Sequence, residues 1–259
     1  MNDKKIFITG AASGIGLETA KLFAQRGWFV GITDLNEKGL RSLEAEIGNN
    51  NCFSSVLDVT EQSAYMKVIE TFTKRTGGKI DVLFNNAGIL RMGKNESISL
   101  ADQHMTIDTN IKGILNGIYC ALEYLKKTPR SRIISMASTS ALYGIPEMAV
   151  YSASKHAVCA LTEALDLEFE AYDITVSDII VPFVKTPMVT AAEKKARSMD
   201  TLSARIEPYK VAETVWKAAH GQKLHWKIHF ITYLMITTLW TLPAIRRAIV
   251  RFLCMSPNL

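Results

Sequence analysis

Tyr151 and Lys155 stand four positions apart in Tyr151-Ser-Ala-Ser-Lys155. On a helix, that spacing puts both side chains on one face. A free tyrosine titrates near about 10. A neighbouring ammonium favours the phenolate, so such a phenol can exchange a proton with an alcohol or carbonyl oxygen near neutral pH. Ser138 follows a predicted strand at 132–136 and can hydrogen-bond the same oxygen. A Tyr-x-x-x-Lys pair is also common on solvated helices, so its meaning depends on its company.

The company begins at Thr9-Gly10-Ala-Ala-Ser13-Gly14-Ile15-Gly16. Glycines remove Cβ atoms, so a chain can turn tightly and approach a phosphate. The helix that follows offers free N–H groups and a positive dipole end to a pyrophosphate. The strand–turn–helix setting separates this loop from a plain tight turn. Asp34 comes 18 residues after Gly16, at the end of the second predicted strand. An acid there accepts hydrogen bonds from adenosine ribose hydroxyls, and its charge repels a 2′-phosphate. Ser13, Thr33, Leu35 and Asn36 supply no cation to neutralise that phosphate. The pattern predicts NAD(H) over NADP(H). The alternative for Asp34 is a surface cap on the next helix.

Short apolar runs alternate with amphipathic ones to position these groups. Strands are predicted at 5–9, 28–33, 52–57, 80–84, 132–136 and 174–181. Helices are predicted at 14–26, at 62–74, within 100–127, at 149–172, and after a cap at Asn36 with Leu40, Leu43 and Ile47. This alternation calls for an α/β fold, a single-domain Rossmann-like doubly wound parallel sheet with helices on both faces. Residues 1–230 form the dinucleotide-binding catalytic part, and 231–259 an apolar, basic helical extension of the same domain. The segment 183–208 breaks the rhythm at the carboxyl edge of the sheet, where ligands bind. It reads as a lid or as a plain surface connection.

These pieces together resemble the short-chain dehydrogenase/reductase family over about residues 4 to 190. Asp58-Val59 is similar to its adenine-side acidic motif, and Asn85-Asn86-Ala87-Gly88 to its structural turn. Asn110, Ser138, Tyr151 and Lys155 match its catalytic tetrad. The resemblance implies that Tyr151 is the general acid/base and that Ser138 orients the substrate oxygen. It implies that Lys155 binds the nicotinamide ribose and lowers the tyrosine pKa, and that Asn110 holds a water chain to solvent. The implied cofactor contacts are Gly10, Ser13, Gly14, Ile15, Gly16, Asp34, Leu35, Asp58, Val59, Asn86, Ala87, Gly88, Tyr151, Lys155, Pro182, Val184 and Thr186. One departure stands out. Pro182-Phe183-Val184-Lys185-Thr186 carries Phe183 where the family usually has glycine. An aromatic ring there stiffens the lid hinge or walls the substrate pocket. The family also implies a homodimer or homotetramer through its two long helices.

The chain has 259 residues, 48% apolar and 21% charged, which excludes disorder and a disulfide scaffold. Cys52, Cys120, Cys159 and Cys254 lie far apart without C-x-x-C spacing. They predict buried free thiols in a reducing compartment and no metal site. The short apolar run at 6–9 is no secretory signal, so a cytoplasmic location is expected. The net charge of +5 sits wholly in residues 221–259, as Lys223, Lys227, Arg246, Arg247 and Arg251 without any acid. That is no nucleic-acid footprint. Residues 228–245 hold no charge apart from a possible one on His229, but a strand-like start and Pro243 argue against a membrane span. Two short helices meeting at Pro243 are expected. They pack on the substrate pocket or a neighbouring subunit, or lie in a membrane interface. Either arrangement puts an apolar surface beside the site. The reading is an NAD(H)-dependent oxidoreductase for a hydrophobic secondary alcohol and its ketone. A 3-oxoacyl thioester reductase and a non-catalytic nucleotide-binding protein are the alternatives.

Overall fold

Isoleucine and phenylalanine alternate in the first strand, and that alternation organises the molecule. The computed structural model describes residues 4–190, 196, 206–228, 244 and 246–254. In β1 (Lys5–Thr9), Ile6 and Ile8 face one apolar core while Phe7 faces another. β1 pairs in parallel with β2 (Phe29–Asp34) on one side and β4 (Val82–Asn85) on the other. With β3 (Cys52–Val56), β5 (Ser131–Met136), β6 (Ile174–Ile180) and β7 (His225–Lys227) the order is β3-β2-β1-β4-β5-β6-β7, parallel throughout. The sheet reverses direction of growth between β1 and β4. Ligands of such folds bind beyond the carboxyl ends of the strands at that reversal.

Helices cover both faces. On one lie α1 (Gly14–Gln25) and α2 (Glu37–Ile47), whose Phe23, Leu40 and Leu43 pack on Ile6, Ile8 and Ile32. On the other lie α3 (Gln62–Arg75), α5 (Gly113–Lys126) and α6 (Ala149–Phe169). Their Phe72, Ile118 and Val158 pack on Phe7, Leu83 and Val176. Strands buried on both sides read as continuous apolar runs, which is why the sheet was legible in the sequence.

Two features differ from expectation. The predicted helix within 100–127 is α4 (Leu100–Ile107), a π-helical turn Asp108–Lys112, and then α5. Single π turns put one extra residue into a helix and tend to occur at functional sites. Here the turn centres on buried Asn110. A further helix, α8 (Pro208–Ala218), is not among the predicted elements. Its signals are a proline in the first turn and buried Val211, Val215 and Ala218 at helical spacing.

The proposed lid lies mostly outside the described residues, which include its short α7 (Pro187–Thr190) and a parallel bridge from Val184 to Ile206. The apolar stretch 229–243, with Pro243, also lies outside them. Beyond it, α9 (Arg246–Cys254) is described. Among the described residues no helix is long and apolar enough to cross a membrane.

Candidate active site

The loop after β1 is shaped by close backbone approaches. Gly10 and Gly14 have φ of +67° and +55°, a region that glycine enters without strain. A Cβ on Gly10 would lie 2.9 Å from Ala87 Cα, and one on Gly14 2.9 Å from Thr186 Cγ2. The loop is pinned from β4. Asn86 Nδ2 donates to the Thr9 and Gly10 carbonyls, both at 2.9 Å, and Thr9 Oγ1 accepts from the Asn86 and Ala87 amides. Gly16 is buried in the first turn of α1. A Cβ there would lie 2.1 Å from the Gly10 carbonyl oxygen. Its smallness serves the packing of α1 on the loop.

The start of α1 suits an anion. Its N-cap Ser13 makes no side-chain capping bond, and its first turn holds no acid. The caps of α2 and α4 are filled by contrast: Asn36 Oδ1 accepts from the Gly39 amide and Ser99 Oγ from the Asp102 amide. The first N–H groups of α1 therefore have no internal side-chain acceptor and a positive dipole end around them.

Asp34 ends β2 beside this loop. Its Oδ2 accepts from the Ala12 amide at 3.0 Å and its Oδ1 from the Asn36 amide at 2.9 Å. The cap of α2 is Asn36, so the capping alternative for Asp34 does not hold. Leu35 is exposed. Asp58 Oδ1 is engaged by the Thr60 amide and hydroxyl, and the Val59 carbonyl accepts from Asn116 Nδ2.

Ser138 caps the turn after β5, where its Oγ accepts from the Ser140 amide at 3.2 Å. It also acts on the Tyr151 phenol, where it favours the phenolate. Both residues border one cavity. Burial pushes the Tyr151 phenol up to about 12, and Ser138 opposes that rise. The Lys155 ammonium donates to the Met136 carbonyl at 2.7 Å and lies 5.6 Å from the Tyr151 ring centroid. Burial lowers the Lys155 pKa to about 8, since charge is costly away from water.

Asn110 is wholly buried and does not line the cavity. Its Oδ1 accepts from the Ile89 amide at 2.8 Å. Its Nδ2 donates to the Ile89 carbonyl and to Ser154 Oγ. Both side-chain N–H groups are thus engaged within the protein. It braces the turn after β4 against α6. Ser154, which in turn donates to the Tyr151 carbonyl at 2.7 Å, was missed. Its signal was present in the small hydroxyl three residues after Tyr151.

A cavity of about 1670 Å³ joins these groups. Gly10, Ser13, Gly14, Ile15, Asp34, Leu35, Asp58, Val59, Asn86, Ala87 and Gly88 all border it. So do Ser138, Tyr151, Lys155, Pro182, Val184 and Thr186. Its apolar lining includes Met92, Met148 and Phe183, and Phe183 packs against a buried cluster of Leu90, Met92, Met148 and Ala196. Phe183 is therefore a pocket wall. Ile249, Val250 and Cys254 bring α9 onto the same cavity. The glycine cradle, the uncapped helix start and Asp34 fit a dinucleotide.

This fold and site define a dinucleotide-dependent oxidoreductase. The family model for short chain dehydrogenases matches residues 4–197, and the chain belongs to that family. It is 34% identical over 223 residues to the 3-oxoacyl-(acyl-carrier-protein) reductase of Thermotoga maritima, covering 83% of this chain and 89% of the relative. It is 36% identical over 202 residues to a 3-beta-hydroxysteroid dehydrogenase of Comamonas testosteroni, covering 77% and 78%. Among solved structures it is similar to a 3-ketoacyl-(acyl-carrier-protein) reductase from Brucella melitensis complexed with NADH. That match has 26% identity and a TM-score of 0.78, and covers 87% of this chain and 96% of the other.

Proposed function

We propose that this oxidoreductase uses NAD(H) to interconvert an apolar secondary alcohol and its ketone. The observation that carries the reading is a single cavity bordered by Asp34, by the Ser138–Tyr151 pair and by Met92, Met148, Phe183 and Ile249. The NADH complex of the Brucella relative and the steroid substrate class in the Comamonas relative's name support it.

When bound, nicotinamide dinucleotide supplies or accepts the hydride. The protein's own residues handle binding and the proton. The α1 amides receive the pyrophosphate, Asp34 accepts from the adenosine ribose, and the Lys155 ammonium donates to the nicotinamide ribose. Ser138 and Tyr151 both donate to the substrate oxygen. In reduction Tyr151 gives its proton to that oxygen; in oxidation it takes the alcohol proton. The apolar wall strips water from a greasy substrate.

A panel of alcohols, from short-chain to steroidal, assayed with NAD and NADP tests the reading. We expect bulky secondary alcohols to be the best substrates and NAD to be preferred by about 10²-fold. At an effective dielectric of about 20, like charges near 4 Å cost about 4 kcal/mol before solvent screening trims it. Asp34→Ala should erase most of that preference. An NADP preference in the native chain would remove Asp34 as the discriminating group. The relative from Thermotoga favours a second reading, an acyl-thioester ketone reductase. Turnover of acetoacetyl thioesters that outpaces every alcohol and simple ketone would select it.

Lys155 predicts a pH dependence. Below about 8 the side chain carries its charge and donates to the ribose; above that it loses a donor and the charge. NADH affinity is expected to be constant below about pH 7 and to fall with a slope of one proton above about pH 8. Fluorescence titration from pH 6 to 10 measures this. A Lys155→Met variant should bind more weakly at neutral pH and lose the slope; the same slope in that variant would assign the titration elsewhere.

A further inference from the structure

Three side chains converge on a spot that the proposed reaction does not use. On α6, Lys155, Cys159 and Glu163 follow at four-residue steps, so they share a face. Asp178 of β6 is wholly buried beneath them. His225 of β7 is its direct register partner across the sheet. His225 Nδ1 lies 2.9 and 3.1 Å from the two Asp178 oxygens. One ligand atom from each of Cys159, Asp178 and His225 lies within 4.8 Å of the others.

That arrangement is close to a coordination shell. Zinc binds sulfur at about 2.3 Å, imidazole nitrogen at about 2.0–2.1 Å and carboxylate oxygen at about 2.0–2.2 Å, in tetrahedral order. Ligand atoms around such an ion stand roughly 3.3–3.7 Å apart, and here all three already lie within 4.8 Å of one another. The far side of the imidazole has its own partner. His225 Nε2 lies 3.5 Å from Glu163 Oε1. A carboxylate behind a ligating histidine fixes its tautomer and leaves the other nitrogen's lone pair for the metal. His225 is 26% exposed, which leaves a path for an ion and a fourth, water ligand.

We propose that Cys159 Sγ, the Asp178 carboxylate and His225 Nδ1 bind one borderline-soft divalent cation of the zinc class, with Glu163 as the positioning carboxylate. A thiolate and a carboxylate balance the two positive charges, and the ion displaces the thiol proton on binding. Sulfur and nitrogen ligands select against magnesium and calcium, which take oxygen. The ion would join the helix of Tyr151 and Lys155 to the edge of the sheet. Sequence spacing gave no sign of this, because residues 159, 178 and 225 come from three separate elements.

The test uses the full chain after chelator treatment, titrated with zinc against a chromophoric chelator. The expected result is one zinc per chain, with affinity better than about 1 μM. Glu163→Gln, a change at an exposed residue that spares the core, should weaken binding by about 10–100-fold. Cobalt loading should give a thiolate-to-metal charge-transfer band that Cys159→Ser removes while the circular dichroism stays native. Zinc at 100 times its dissociation constant should raise the melting temperature by about 5 °C in the native chain and by much less in Cys159→Ser. No stoichiometric binding, or binding left unchanged by both variants, or cobalt bound without the band, overturns the site.

Discussion

Tyr151→Phe is expected to lower kcat by about 10³–10⁴-fold while NADH binds within twofold of the native affinity. The change removes one hydroxyl and leaves the ring, so the cavity wall and the glycine loop stay as they are. What goes is the phenol donor that borders the cavity with Ser138. Burial keeps this phenol protonated at neutral pH in the free chain, because it is pushed up to about 12. A protonated phenol is ready to give its proton in ketone reduction. Alcohol oxidation needs the phenolate, so the oxidation rate should climb with pH while reduction stays level through neutrality. Steady-state rates in both directions, with NADH fluorescence for binding, measure the whole set. Turnover that survives Tyr151→Phe, or oxidation that falls with rising pH, would place the proton transfer on another group.

Gly16→Ala should cost about 3 kcal/mol or more, beyond the usual 1–3 kcal/mol of overpacking, because the obstacle is backbone. The new Cβ would lie 2.1 Å from the Gly10 oxygen and 2.7 Å from Asn86 Nδ2. Neither can step aside alone. Asn86 holds the Thr9 and Gly10 carbonyls, so moving it loosens the loop from β4. The melting temperature should fall by roughly 6–12 °C, and NADH affinity by more than about 10²-fold as the α1 amides swing out of line. Gly27→Ala is the matched control. Gly27 has φ +79° with nothing near its Cβ position, so about 1 kcal/mol is expected with binding unchanged. Equal effects of the two substitutions on NADH binding would refute the packing account. Calorimetry and the fluorescence titration read both.

Much of the sheet was legible because parallel strands buried on two faces must be apolar throughout. Ile6, Phe7 and Ile8 needed no tertiary knowledge to be called core. Helix α8 was legible in principle, through Pro208 and the Val211–Val215–Ala218 spacing, but it follows the segment that breaks the αβ rhythm. Asn110 illustrates the limit in the site. Its type and setting marked it as a residue of interest, yet a spacing rule says nothing about a π turn or about which hydrogen bonds consume its amide. Gly16 belongs to the same case. A glycine near a phosphate loop reads as a turn former, and only the structure shows how tightly this one abuts the Gly10 oxygen. For Tyr151 too, the spacing names the neighbouring ammonium but not the burial, and burial is what raises the phenol here.

By itself, the sequence determined what short-range physics encodes: the strand and helix alternation, the glycine loop ahead of a helix, Asp34 at a strand end, and Tyr151 and Lys155 on one helical face. The tertiary structure alone decided which of these groups border the cavity, which are spent on holding the scaffold, and that Cys159, Asp178 and His225 meet. Periodicity fixes the direction of a side chain relative to its own element, whereas burial, pKa and partnership depend on atoms supplied by elements far away along the chain.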